Sequence, residues 1–256
     1  MEKIMTRSAI SRVLCASTML VLSAGAGSAM AQDEESEGWS GSVEFSAASA
    51  TGNSETLNVG LATEVKNEVG RYTHLFKGAF NYAEAEEIET QNNLQLSYDL
   101  DVQLRDRTYA YGRVQYDQDE FSGFENRIFV GGGLGHYLIE EEGSTWKIEG
   151  GPGYRYSKLE EPDPVPMDFE ESESEFAVYA SSEYERLIRE GVQFTHLLES
   201  TWTQSNTSVK TVAALTTKLT DSLSSKVSYE VRYETDPPAG NENTDTLLKA
   251  SILFGF

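Results

Sequence analysis

One cysteine and three histidines are all that the 256 residues offer to thiol, disulfide or imidazole chemistry. Cys15 has no second cysteine to pair with, which excludes a disulfide framework and a multi-cysteine metal site. Basic residues are also scarce: 20 Lys and Arg stand against 42 Asp and Glu, a formal charge of −22. That balance excludes a nucleic-acid binder driven by its own charge. Beyond Gln32 no apolar run approaches the length of a membrane helix, and no long window has the i, i+3, i+4, i+7 spacing of an amphipathic one. Disorder is excluded as well, because 39% of the residues are hydrophobic and 11% are aromatic.

The first 31 residues read as a targeting segment. Lys3, Arg7 and Arg12 precede a small, apolar run from Val13 to Ala26, and Ala29-Met30-Ala31 has the small-x-small form of a signal-peptidase site, with cleavage expected before Gln32. Leu14 before Cys15 does not fit a lipoprotein site, and a retained inner-membrane anchor is the alternative. Removing Glu2 and those three basic residues leaves 41 acidic and 17 basic side chains. Residues 32–38 then form an acidic tail and 39–256 the folded domain.

What is present is a period of two. Leu223, Val227, Tyr229, Val231 and Tyr233 alternate with Ser224, Lys226, Ser228, Glu230, Arg232 and Glu234, which is a strand with one apolar and one polar face. The pattern recurs in 55–66, 71–82, 92–102, 146–156, 176–184, 209–219 and 248–256. Segments near 39–50, 108–118, 126–138 and 192–202 complete twelve strands, although 108–118 has no clean face. Connections after the even strands are short, at Asn67–Gly70, Leu104–Arg107, Glu140–Ser144, Arg189–Gly191 and Thr220–Ser222. After strands three, five, seven and eleven they read as longer and polar, the longest being Lys158–Ser174.

Such alternation suits an all-β, transmembrane, antiparallel up-and-down barrel of about twelve strands with both termini in the periplasm. A water-soluble sandwich or lipocalin-like barrel has the same period with its apolar face inside. Twelve strands enclose too wide a lumen for a dry core, which places the apolar face outside, against lipid. Trp39, Tyr72, Tyr109, Tyr137 and Trp146 near the short turns, and Tyr82, Tyr116, Tyr156 and Trp202 near the long loops, read as two interfacial girdles. The chain stops on Phe256, a terminal aromatic of the form that barrel-assembly machinery recognises. The outer membrane, with its lipids and lipopolysaccharide, is therefore the expected address, and a monomer the expected state.

Acidic residues cluster in 33–37, 84–89, 117–125, 160–175 and 234–245, segments read as tail and loops. The strand walls are then close to neutral, with Glu64 beside Lys66, Lys147 beside Glu149, and Lys226 beside Glu230. These six, with Arg155 and Arg232, are the candidate lumen-lining residues. The eight carboxylates of 160–175 are either a solvated surface or weak sites for divalent cations, since an exposed, Pro-containing loop loses entropy on closing around an ion.

No cofactor motif survives inspection. Gly131-Gly132-Gly133-Leu134-Gly135 and Gly150-Gly151-Pro152-Gly153 have no helix after them, so they are not phosphate loops. They fall opposite each other in one hairpin and read as architecture, letting a bulky neighbour such as Tyr154 or Tyr137 lie across the sheet. His74, His136 and His196 belong to well-separated strands and cannot share a metal. A lipid hydrolase built on His196 with Ser181 or Ser182 is the alternative to a non-enzymatic barrel, either a narrow channel or a structural one.

The stretch Thr51-Gly52-Asn53-Ser54-Glu55-Thr56-Leu57, the loop Asp119-Glu120-Phe121-Ser122-Gly123-Phe124 and the strand Glu149-Gly150-Gly151-Pro152-Gly153-Tyr154-Arg155-Tyr156 occur here in that order. In this the sequence resembles a Gram-negative outer-membrane family of unknown function known as salt-induced outer-membrane proteins, over about residue 38 to Phe256. The resemblance implies a barrel, an outer-membrane address and a link to salt or envelope stress. It implies no catalytic or ligand residues.

Overall fold

A computed structural model describes residues 38–50, 56–160, 171–238 and 241–256. The targeting segment and all but the last residue of the acidic tail lie outside these residues. Twelve strands run in chain order: β1 (Trp39–Ala50), β2 (Thr56–Val69), β3 (Tyr72–Ala85), β4 (Ile88–Arg105), β5 (Thr108–Asp119) and β6 (Phe124–Glu141), followed by β7 (Ser144–Leu159), β8 (Ser172–Arg189), β9 (Val192–Trp202), β10 (Thr207–Lys218), β11 (Leu223–Glu234) and β12 (Thr244–Gly255). Each pairs antiparallel with its sequence neighbours, and β12 returns to β1, which closes the barrel. Closure leaves no free sheet edge.

The pleat decides which side chains meet lipid and which meet the lumen. Phe76 and Phe80 on β3, Val130 and Leu134 on β6, Phe176 and Val178 on β8, and Leu248 and Ile252 on β12 all point outward and are exposed, Leu248 at 72% and Phe176 at 65%. An apolar surface that encircles the barrel matches hydrocarbon and not water, whereas the inward rows carry the charges. Trp39, Tyr72 and Trp146 stand at the short-turn ends of their strands, and Tyr82 and Trp202 at the opposite ends. Tyr109 and Tyr137 correct the girdle reading: they face inward, with Tyr109 only 1% exposed and its ring 5.4 Å from that of Tyr137.

Short turns follow β2, β4, β6 and β8, each two residues long. Gly70, Gly143 and Gly191 adopt φ of 58°, 74° and 74° there, which only glycine takes without strain. At the other end the expected loop around 84–89 is corrected to a two-residue turn, Glu86-Glu87, because β3 and β4 continue to Ala85 and Ile88. Both glutamates have positive φ, 51° and 63°, where Asn-Gly is the favoured pair. The double substitution Glu86→Asn, Glu87→Gly is expected to stabilise the barrel by about 1 kcal/mol. Urea titration of the folded barrel in detergent reads this directly, and a midpoint below wild type would show that the glutamate side chains outweigh the turn.

The two glycine runs meet as expected, on adjoining stretches of β6 and β7. Gly131 pairs Gly153 and Leu134 pairs Gly150, and the ladder lapses between them, where Pro152 has no amide to donate. A β-carbon at Gly133 would lie 2.7 Å from the Gly151 Cα. The rings laid over this glycine floor are Tyr109, over Gly135, and Phe129, over Gly131 and Gly153. Tyr154, expected to lie there, points outward instead and is 53% exposed. With Tyr111, Tyr179 and Ala177 the two rings form the buried cluster of the molecule, with Tyr137 packed against it. One side of the lumen is therefore filled.

Candidate luminal site

Arg113, at the middle of β5, is the hub of the inward surface. Its guanidinium binds Asp99 of β4 and the Tyr179 hydroxyl of β8, and lies 3.4 Å from Glu149 Oε2 on β7 and 3.5 Å from Glu199 Oε1 on β9. It also stacks over the Tyr179 ring, 4.5 Å from the centroid. The partners are themselves held. Tyr109 Oη donates to Glu149 at 2.8 Å, Ser181 Oγ donates to the same carboxylate at 3.3 Å, and Tyr179 Oη donates to Glu199 at 2.9 Å. Five strands are thus tied through one side chain above the glycine floor.

Other contacts cross the lumen. Arg127 of β6 reaches Glu234 of β11 at 2.7 Å, and Arg232 of β11 reaches Asp119 of β5 at 3.4 Å. In a twelve-membered ring β5 and β11 stand diametrically opposite, so these pairs join facing walls. Lys210 of β10 donates to Gln95 Oε1 of β4 at 2.9 Å, a third span. The interior is thereby divided into a mouth lined by Asn93, Asp119, Arg232 and Asp245, a middle chamber lined by Arg127, Arg155, Lys210 and Glu234, and an inner chamber lined by Glu44, Glu64, Lys77 and Glu183.

The eight lumen candidates from the sequence all lie on inward rows, but their partners differ from the expected ones. Glu64 pairs Lys77 at 3.6 Å, Lys66 pairs Glu68 at 2.5 Å, Lys147 pairs Glu183 at 2.8 Å, and Lys226 pairs Glu44 at 2.8 Å. Glu149 serves Arg113, and Glu230 pairs Arg232 at 2.5 Å. Four of these pairs join adjacent strands or skip one, because lumen neighbours are set by register as much as by i, i+2 spacing. Sequence reasoning missed Arg113, Asp99, Glu199, Lys210, Arg127 and Glu44. The readable signal was Tyr109, Tyr111, Arg113, Gln115 and Asp117, an alternation of large polar-tipped side chains with Ala110, Gly112 and Val114.

Carboxylates assigned to loops also move. Asp117, Asp119 and Glu234 lie on strands and line the mouth and middle chamber, and Glu173 and Glu175 both bind Ser205. Most of the proposed divalent-cation loop, 161–170, lies outside the described residues. His74, His136 and His196 hydrogen-bond Tyr98, Thr108 and Thr211 respectively, at 2.9, 3.0 and 3.1 Å. Ser182 Oγ accepts from Trp146 Nε1 at 2.9 Å, so the histidine and serine considered for hydrolysis are each engaged elsewhere.

A closed antiparallel barrel with an apolar exterior and a charge-lined interior defines the class: a membrane-type β-barrel. Within it the chain belongs to the family described as "Protein of unknown function, DUF481", whose model matches residues 43–256. The Escherichia coli K12 protein YdiY, itself uncharacterised, is 26% identical over 150 residues, which are 58% of this chain and 56% of that protein. The match thus spans little more than half the length of that relative. Among solved structures, the translocator domain of the autotransporter NalP from Neisseria meningitidis superposes with a TM-score of 0.51 at 8% identity, covering 87% of this chain and 89% of that one. An outer membrane channel from Pseudomonas putida F1 gives a TM-score of 0.48 at 11% identity, covering 85% and 95%. At these identities the likeness is one of fold.

Proposed function

We propose that this is an outer-membrane barrel, without enzymatic activity, that passes small solutes slowly through a narrow, ion-paired lumen. One observation carries the reading: facing walls are joined directly by side chains, Arg127 to Glu234 and Arg232 to Asp119, which leaves passage only around and between the bridges. The address follows from the apolar exterior and the aromatic ends, with Phe256 as the assembly signal. Its amide donates to Gly41 O at 2.9 Å, extending the closing seam to the last residue. Lipid and lipopolysaccharide would then be the surroundings and the barrel-assembly machinery a transient partner.

A role in salt or envelope stress fits the same lumen. Bridges made of opposite charges weaken as salt rises, since the screening length falls from roughly 10 Å at 0.1 M to 3 Å at 1 M. Planar-bilayer recording of the purified, folded barrel tests both parts. The expected result is small stepwise currents whose conductance grows more steeply with potassium chloride than the bulk conductivity does. Absence of current at every salt concentration would leave a structural barrel and end the passage reading.

A further inference from the structure

Basic side chains inside the barrel are, with two exceptions, matched by carboxylates. Lys77, Arg113, Arg127, Lys147, Lys226, Arg232 and Lys249 each have one within the 4.0 Å that defines an ion pair. Arg155 and Lys210 are the exceptions among the described residues, and they line the same middle chamber. Arg155 is 6% exposed and its Nε has no hydrogen-bond partner. Its terminal nitrogens donate to neutral oxygens only: Ser208 Oγ at 2.8 Å, Thr203 Oγ1 at 2.8 Å and Asn206 O at 3.4 Å. Lys210 donates to Gln95 Oε1 and makes no direct ion pair, with Glu199 and Glu230 acting on it only across space.

The carboxylates in this chamber are already committed. Glu234 accepts from Arg127 at 2.7 Å, from Asn206 Nδ2 at 2.6 Å and from Ser208 Oγ at 2.6 Å, so Arg155 reaches it only through the Ser208 hydroxyl. Glu199 accepts from Tyr179 and faces Arg113, and Asp117 accepts from Gln95 and Gln115. A buried guanidinium with no carboxylate in direct contact is costly to keep, and beside it stands Lys210, whose nearby carboxylates Glu199 and Glu230 lie beyond ion-pair distance, so an anion could make the direct contacts that both cations lack. Guanidinium, ammonium and the hydroxyl of Thr201, which lines the same chamber, are the donor types that hold oxygens of carboxylate or phosphate.

We propose that the chamber between Arg155 and Lys210 binds a small oxyanion, a free carboxylate or phosphate. The proposal gives the passage reading a solute class, yet it is read by binding and not by current. Isothermal titration of the folded full barrel in detergent, with inorganic phosphate and separately with acetate in a chloride buffer, is the test. Saturable heats for either anion are expected, and their relative strength identifies the preferred oxyanion. Arg155→Gln and Lys210→Gln should each weaken the binding about tenfold, the loss of one charge-assisted contact. Lys210 makes one side-chain hydrogen bond and no direct ion pair, so Lys210→Gln is the milder change and decides the matter even where Arg155→Gln does not assemble. No heat with either anion, or an affinity unchanged in Lys210→Gln, overturns the proposal. Binding without conductance would sink the passage reading alone.

Discussion

Replacing Arg113 by Met is expected to lower the unfolding free energy by about 3–5 kcal/mol, the cost of leaving buried charges without their partner. Asp99 and Glu149 are each only 5% exposed in their side chains, and Arg113 is 10% exposed, so water does little to replace the guanidinium. Met fills much of the same volume, which separates the electrostatic loss from a cavity. Arg113→Lys should fall between the two, since an ammonium restores charge but not the fork that serves four acceptors at once. The decisive arm is the double variant Arg113→Met, Glu149→Gln. Neutralising one stranded carboxylate should recover part of the loss, and strict additivity of the two single effects would refute the hub assignment. Urea unfolding in detergent, followed by tryptophan fluorescence, measures the wild type and all four variants, the Glu149→Gln single included. If the lumen conducts, the single variant should also carry larger unit currents, because the side chain that ties five strands across the middle is gone.

The reason Arg113 was not visible in the sequence is the same reason β5 looked faceless. Its inward row begins Tyr109 and Tyr111 before reaching Arg113, so the polarity contrast that marks the other strands is absent where aromatic rings fill the lumen. The fold was legible because the remaining strands keep the contrast, as β11 does with Val227, Tyr229 and Val231 against Lys226, Glu230 and Arg232. Connection lengths were less legible. Clustered carboxylates such as Glu84 and Glu89, or Asp117 and Asp119, read as loops, yet here they sit on strands that run past the apolar belt into the polar mouth. Acidity marks contact with water, and in a barrel water reaches the strand interior as well as the loop. Ion-pair partners were the least legible of all, because Lys226 meets Glu44 across 182 residues of chain. Only register brings them together.

That last contact sets the second large effect, at the seam where the first and last strands meet. β1 pairs β12 over Ser42–Phe45, with one further reciprocal bond pair between Gly41 and Phe256, against a full-length ladder with β2. Glu44 compensates from the lumen side. It is 5% exposed and accepts from Lys226 Nζ at 2.8 Å, from Ser251 Oγ at 2.8 Å and from Lys249 Nζ at 3.0 Å, stapling β1 to both β12 and β11. Glu44→Ala is expected to cost about 2–3 kcal/mol, below the full penalty for a broken buried pair because both lysines keep some solvent. The loss should be local. Hydrogen exchange of the β1 and β12 amides should accelerate, whereas amides between β6 and β7, far from the seam, should keep their protection. Adding Lys249→Gln to Glu44→Gln should restore part of the stability, since one of the two stranded cations is removed. Uniformly faster exchange around the whole barrel would instead mean that Glu44 supports the fold at large and not its closure.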